Sequence, residues 1–165
     1  MATVLKNLSN TSLEGNTSFK KMKIGIVVAD WNPEITHSMR DAAISFLTEK
    51  GVQSKNIQVF PVPGSFELPL GAQFLAKQKN IDAVITLGCV IQGETRHFDF
   101  ICQACAHGIT QVGLTFNKPV IFGVLTTNTL EQAMDRAGGK HGNKGIEAAE
   151  TALNMLLLKY SIQKD

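Results

Sequence analysis

Four stretches of this chain are apolar almost without interruption: MKIGIVVA from Met22, IQVFPV from Ile57, IDAVITLGCVI from Ile81 and PVIFGVL from Pro119. A strand with one wet face alternates polar and apolar residues. Continuous runs therefore fit strands covered on both faces, the situation of a parallel sheet. Parallel neighbours cannot be joined by a hairpin and need a crossover, which is ordinarily a helix. The segments between the runs read as such helices. Asn32 and Pro33 supply an N-cap and a first-turn proline, Ile35, Met39, Ala42, Ala43 and Phe46 recur on one face, and Gly51 stops the helix. Helical patterns follow at 65–79, 98–115, 130–137 and 146–160. Strand and helix alternating in this way, with one extra helix at the end, predicts an α/β fold of the doubly wound type. It is a three-layer sandwich with a four-stranded parallel sheet flanked by helices.

At 165 residues the chain can bury one good core and is too short for two ordinary domains. Residues 22–165 read as a single domain and residues 1–21 as an amino-terminal arm and linker, polar except for an apolar piece at 3–8 that suits a lone strand. The net charge is only +2, and basic residues are scattered apart from Lys20, Lys21 and Lys23 and the group Arg136, Lys140 and Lys144. Nucleic acid is disfavoured as the main partner. No apolar segment reaches the roughly 18 to 20 residues of a membrane helix, and the start lacks the pattern of a signal peptide. The expectation is a soluble cytoplasmic protein with no membrane partner. Three cysteines, Cys89, Cys102 and Cys105, form no disulfide framework. Cys102 and Cys105 make a CxxC, but inside a helical pattern rather than at the helix start where thiols are activated. No further ligands at zinc spacing accompany them, so packing is the better reading.

In doubly wound sheets ligands bind outside the carboxyl ends of the strands. Here those ends read ADWN at Ala29, VPGSFE at Val62, GCVIQGETRH at Gly88 and GVLTTN at Gly123. The third is the richest. Gly93, Glu94 and Thr95 precede a helix, so free backbone N–H groups and the positive end of the dipole would face an anion there, most simply phosphate. Thr95 adds a hydroxyl, and His97 is a residue type that exchanges protons near neutral pH. Two readings stay open: an anion site, or an ordinary helix start with Thr95 or Glu94 as cap and His97 in solvent. Standard nucleotide motifs are missing. The first strand has no GxGxxG, and GGKHGNKG at Gly138 lacks Walker spacing. Its glycines are expected to turn the chain sharply between two helices, with Arg136, Lys140 and Lys144 solvated or reaching toward an anion.

The set WNPEIT, VPGSFELP, LGCVIQGETRHFDF, PVIFGVLTT and DRAGGKHGNKG, in this order, resembles the 6,7-dimethyl-8-ribityllumazine synthases. The resemblance covers nearly everything after Met22, and it implies a flavodoxin-like fold. It also implies the penultimate step of riboflavin biosynthesis, with neither metal nor organic cofactor. In that step 5-amino-6-(D-ribitylamino)uracil condenses with 3,4-dihydroxy-2-butanone 4-phosphate. By position, Trp31 would stack on the pyrimidine where relatives often have Phe, with Asn32 beside it. Ser65 and Phe66 would hold the pyrimidine or ribityl chain through backbone groups, Glu67 would accept from ribityl hydroxyls, and Cys89, Val90 and Ile91 would line the ring site. Glu94 and Thr95 match the phosphate turn and Arg136 the phosphate-binding arginine, whose guanidinium can fork onto phosphate. His97 is the proton carrier. Phe122 and Lys144 would close the pyrimidine end. Gln92 stands where many relatives have Arg, and Arg96 either replaces that charge or points to solvent.

In the resembled family Phe122, Arg136 and Lys144 reach the site from the adjacent subunit, which implies a homo-oligomer with active sites at subunit interfaces. The 3–8 strand would pair with a neighbouring subunit's sheet. The family's ring is a pentamer, and twelve pentamers make a 60-subunit shell where the turn before the last helix is short, as AGGKHGNKG is here. Riboflavin synthase is a possible enclosed partner. Two other classes fit the same fold: a non-catalytic flavin-binding protein stacking its ligand on Trp31, and a shell-forming scaffold. Only the enzyme needs both His97 and Arg136.

Overall fold

The computed structural model describes residues 18–162; the 3–8 strand expected from sequence lies outside them. The elements are β1 (Ile24–Ala29), α1 (Pro33–Glu49), β2 (Ile57–Val62), α2 (Leu68–Ala76), β3 (Ala83–Ile91), α3 (His97–Phe116), β4 (Val120–Thr127), α4 (Leu130–Met134), β5 (Ala137–Gly139), β6 (Gly142–Asn143) and α5 (Lys144–Ile162). Strands β1 to β4 form one parallel sheet in the order β2-β1-β3-β4. Ile26 of β1 faces Val59 of β2 on one side and Ile85 of β3 on the other.

Because side chains alternate across a strand, each apolar run feeds two cores. Ile24, Ile26, Val28, Ile85 and Leu87 point to the layer of α1 and α5, where they meet Met39, Leu47, Ala149 and Leu153. Val27, Ala29 and Val84 point the other way, to Leu68, Leu75, Ile109 and Val112 of α2 and α3. Three layers result, as the uninterrupted runs predict. Burial is complete for β1 but not for β2. Here the expectation of strands covered on both faces fails, because β2 is an edge: Val59 and Phe60 remain exposed. Pro61, which has no N–H to give, is tolerated at such an edge.

Several helix bounds also differ from the pattern. The expected 65–79 helix opens as a 3-10 turn over Ser65–Glu67 and becomes α-helical only at Leu68. The 130–137 helix stops at Met134. The glycine loop is no plain turn between helices: β5 and β6 pair antiparallel as a small hairpin, with Gly138 and Gly142 at positive φ. Only glycine adopts those angles without strain. Lys140 spends its charge on Asp135 at 2.8 Å. Among the described residues no helix is long and apolar enough to cross a membrane.

Candidate active site

The carboxyl ends of β1, β2 and β3 carry most of the residues singled out in the sequence. Trp31 follows β1 and stands 71% exposed, which no core tryptophan would be. Asn32 behind it adopts a left-handed conformation, φ 59° and ψ 57°, and makes no side-chain cap. The N-cap role expected of its side chain is therefore corrected. Its Nδ2 instead donates to the Cys89 carbonyl at 3.1 Å, tying the end of β1 to the end of β3. Ser65 is buried, Glu67 half-buried and Phe66 exposed on the 3-10 turn after β2. Cys89 is buried at the end of β3, with Val90 and Ile91 half-buried beyond it. Burial pushes the Cys89 thiol up to about 11, so it is protonated at neutral pH and is no nucleophile.

Beyond β3, the Gln92 N–H donates to the Thr127 carbonyl at 2.8 Å and fixes where the loop departs. Gln92 to His97 are all exposed. Thr95 Oγ1 accepts the His97 N–H at 3.4 Å, a long bond that orients the threonine without filling its hydroxyl. Arg96 at the N-cap makes no side-chain cap, so apart from that long Thr95 bond the positive end of a 20-residue helix faces solvent beside Glu94 and Thr95. Arg96 lies back along its own helix, 3.6 Å from Asp99 and over the Phe100 ring. The guanidinium is otherwise exposed to solvent.

Phe122, Arg136 and Lys144 are not part of this group. They line a separate cleft of about 340 Å³ along the outer edge of β4, with Thr126, Thr127 and Gln132. Arg136 Nη1 donates to the Gln132 carbonyl at 2.9 Å, which aims the guanidinium by its own short helix. Lys144 is ion-paired to Glu147, which is only 6% exposed. Gln132, which lines this cleft, and Glu147, which pairs with Lys144, are not among the candidates singled out from sequence. Glu147 had a usable signal, since a carboxylate three residues from a lysine at a helix start shares its face. Larger cavities lie elsewhere, one of about 550 Å³ near the carboxyl ends of α3 and α5. Its wall is mostly aliphatic, and the chemistry is at the other end of the sheet.

Sheet order and helix layers define a flavodoxin-like α/β protein with its polar, chemistry-bearing segments at the carboxyl ends of the strands. The sequence model of the family described as 6,7-dimethyl-8-ribityllumazine synthase matches residues 21–160. A relative of that name from Cytophaga hutchinsonii is 61% identical over 156 residues, covering 94% of this chain and 98% of its own. Another from Porphyromonas gingivalis is 54% identical over 155 residues, covering 94% and 96%. A third, from Phocaeicola vulgatus, is 47% identical over 164 residues, covering 99% and 98%. The chain belongs to the 6,7-dimethyl-8-ribityllumazine synthase family.

Proposed function

We propose that this chain condenses 5-amino-6-(D-ribitylamino)uracil with 3,4-dihydroxy-2-butanone 4-phosphate. The products are 6,7-dimethyl-8-ribityllumazine, phosphate and water, in the penultimate step of riboflavin biosynthesis. The observation that carries the reading is where the polar segments gather: Trp31, Ser65–Glu67, Cys89–Ile91 and Glu94–His97 share the carboxyl edge of three adjacent strands. An amine and a ketone form an imine with loss of water, phosphate leaves, and ring closure with loss of a further water completes the product. Each step moves protons and one expels an anion. Trp31 offers a flat exposed face to the pyrimidine, and Glu67 offers acceptors to the ribityl hydroxyls. The uncapped start of α3, with Thr95, receives phosphate, and His97 at the same helix start carries the protons. Pure protein incubated with both substrates is expected to develop lumazine absorbance and fluorescence. Absence of product overturns the assignment.

The Arg136, Phe122 and Lys144 cleft completes the site of a neighbouring subunit. Support comes from two apolar faces at opposite sheet edges that nothing covers among the described residues. Val59, Phe60, Leu70 and Phe74 are exposed on the β2 side, and Phe122, Leu114, Met155 and Leu158 on the β4 side. Patches of this kind mark association surfaces, and unlike faces on opposite edges repeat head to tail into a ring. The outer edge of β2 has no strand partner among the described residues and suits the 3–8 strand. The ring is a pentamer in the cytoplasm, and twelve of them form a shell. Light scattering that finds a monomer refutes the shared site, and five subunits alone refute the shell.

Arg136→Ala is expected to weaken the butanone phosphate by about 1.5 to 3 kcal/mol, the scale of a charge-assisted hydrogen bond. The pyrimidine should be far less affected. Steady-state KM values for the two substrates check it, and equal weakening of both points to interface damage instead. A sharper test of sharing mixes two impaired variants, assayed at butanone phosphate concentrations too low to saturate Arg136→Ala. Co-refolded His97→Ala and Arg136→Ala chains should regain activity at about one quarter of random interfaces, where both native halves meet. No recovery means each chain holds its own complete site.

A further inference from the structure

The turn Ser65–Glu67, which the proposed site uses to hold the ribityl side of the pyrimidine, is short, 3-10 and followed by proline. In a continuous α-helix the Ser65 carbonyl would accept from the N–H of residue 69. That residue is Pro69, which has none. The carbonyl takes the Leu68 N–H instead, and one of its lone pairs is left over. It is filled from another element: Cys105 Sγ of α3 donates to Ser65 O at 3.0 Å, inside the protein. Cys105 is fully buried, and burial pushes its thiol up to about 11, so the proton it donates is present at neutral pH.

Two glycines permit the contact. Gly108 lies one turn beyond Cys105 on the same face of α3, and a Cβ there would come within 2.7 Å of the Pro69 ring. Its bareness lets α3 settle onto the first turn of α2. On the other side, a Cβ on Gly88 would meet Ser65 Oγ at 2.7 Å. The turn is thus wedged between β3 and α3. Ser65 Oγ is buried there with no hydrogen-bond partner among the described residues, so the side chain finds no polar anchor for the turn among them. The carbonyl–thiol bond supplies one.

We propose that Cys105 is a positioning residue, whose thiol fixes the Ser65 carbonyl and with it the Phe66 and Glu67 groups that meet the ribityl-pyrimidine. The proposal rests on the site reading above. It gives the CxxC a use for one of its two thiols, and burial pushes both thiols up, away from the thiolate that redox chemistry needs.

Kinetics of the assembled enzyme with both substrates test it. Cys105→Ala should raise KM for the ribityl-pyrimidine by about two- to tenfold, the loss expected for one modest hydrogen bond. Turnover and KM for the butanone phosphate should stay near native. Cys105→Ser, which keeps a donor, should recover part of the loss and also serves if the alanine variant folds poorly. The infrared S–H band lost in Cys105→Ala should lie at lower frequency than the one lost in Cys102→Ala, as donation requires. Unchanged pyrimidine KM in Cys105→Ala, equal rises for both substrates, a serine variant no better than alanine, or an unshifted band each overturn the proposal. Glu67→Gln separates this from failure of the site reading. If it weakens the pyrimidine while Cys105→Ala does not, the site stands and the positioning role falls.

Discussion

Gly145→Ala is expected to lower the melting temperature far more than alanine at the glycines of the surface turns. A Cβ built on Gly145 would sit 1.9 Å from the Met39 carbonyl oxygen and 2.6 Å from its carbon, both backbone atoms of α1. Backbone inside a packed helix cannot swing aside as a side chain does. The approach is fixed from both ends: Asn143 Oδ1 accepts the Gly145 N–H at 2.8 Å, and α1 and α5 pack along their length over the same core. Overpacking of an ordinary core costs about 1 to 3 kcal/mol, and a clash with fixed backbone belongs at or above the top of that range. Against a total stability of about 5 to 15 kcal/mol this removes a large share. Two other glycines provide the scale. Gly51 has open space but φ of +94°, so alanine there should cost about 1 kcal/mol through strain alone. Gly93 has neither a near neighbour nor a positive φ and should accept alanine without loss. Thermal melts followed by circular dichroism rank the three. A Gly145→Ala protein melting beside the Gly93→Ala protein would show that α1 and α5 can separate cheaply.

Gly145 also marks how far the sequence could be read. Apolar periodicity is set by burial, so the sheet and its layers were legible from β1 and β3, whose neighbours cover both faces. It misled at β2, because IQVFPV looks like a central strand while its outer side has no strand partner among the described residues. The run of apolar residues there is equally what an association surface requires. Local proline chemistry decided the 65–79 segment. Pro69 forbids an α-helical bond to Ser65, which a count of apolar positions does not register. In GGKHGNKG the glycines announced a turn, but the hairpin needs the pairing of Ala137 with Asn143, a contact that periodicity does not reveal. The site divides in the same way. Residues at the ends of β1 to β3 could be placed by the rule for parallel sheets alone. Arg136, Lys144 and Phe122 line a cleft on the β4 edge that this rule does not predict, and only the family resemblance connected them to the chemistry. Arg96 stands 3.6 Å from Asp99 and over the Phe100 ring, neighbours that a helical spacing of three and four residues brings to its side.

His97→Ala is expected to lower turnover by about 10- to 1000-fold while both KM values stay near native. His97 is the first residue of α3 and is exposed, so its side chain holds up none of the core and its loss should leave the melting temperature unchanged. Its backbone N–H is bound to Thr95 Oγ1, which places the imidazole at the same turn proposed for phosphate. Imidazole is the side-chain type that both gives and takes a proton near neutral pH, and the condensation needs both directions in sequence. Water can carry those protons more slowly, so the loss stays finite. In the proposed site phosphate is held by Thr95, the helix start and Arg136, so affinity should survive the change. Added free imidazole should restore part of the turnover in His97→Ala and none in Arg136→Ala, because only the first lacks a proton carrier. Full turnover in His97→Ala would move the proton transfers to another group. Weakened butanone phosphate binding with unchanged turnover would make His97 a phosphate ligand instead.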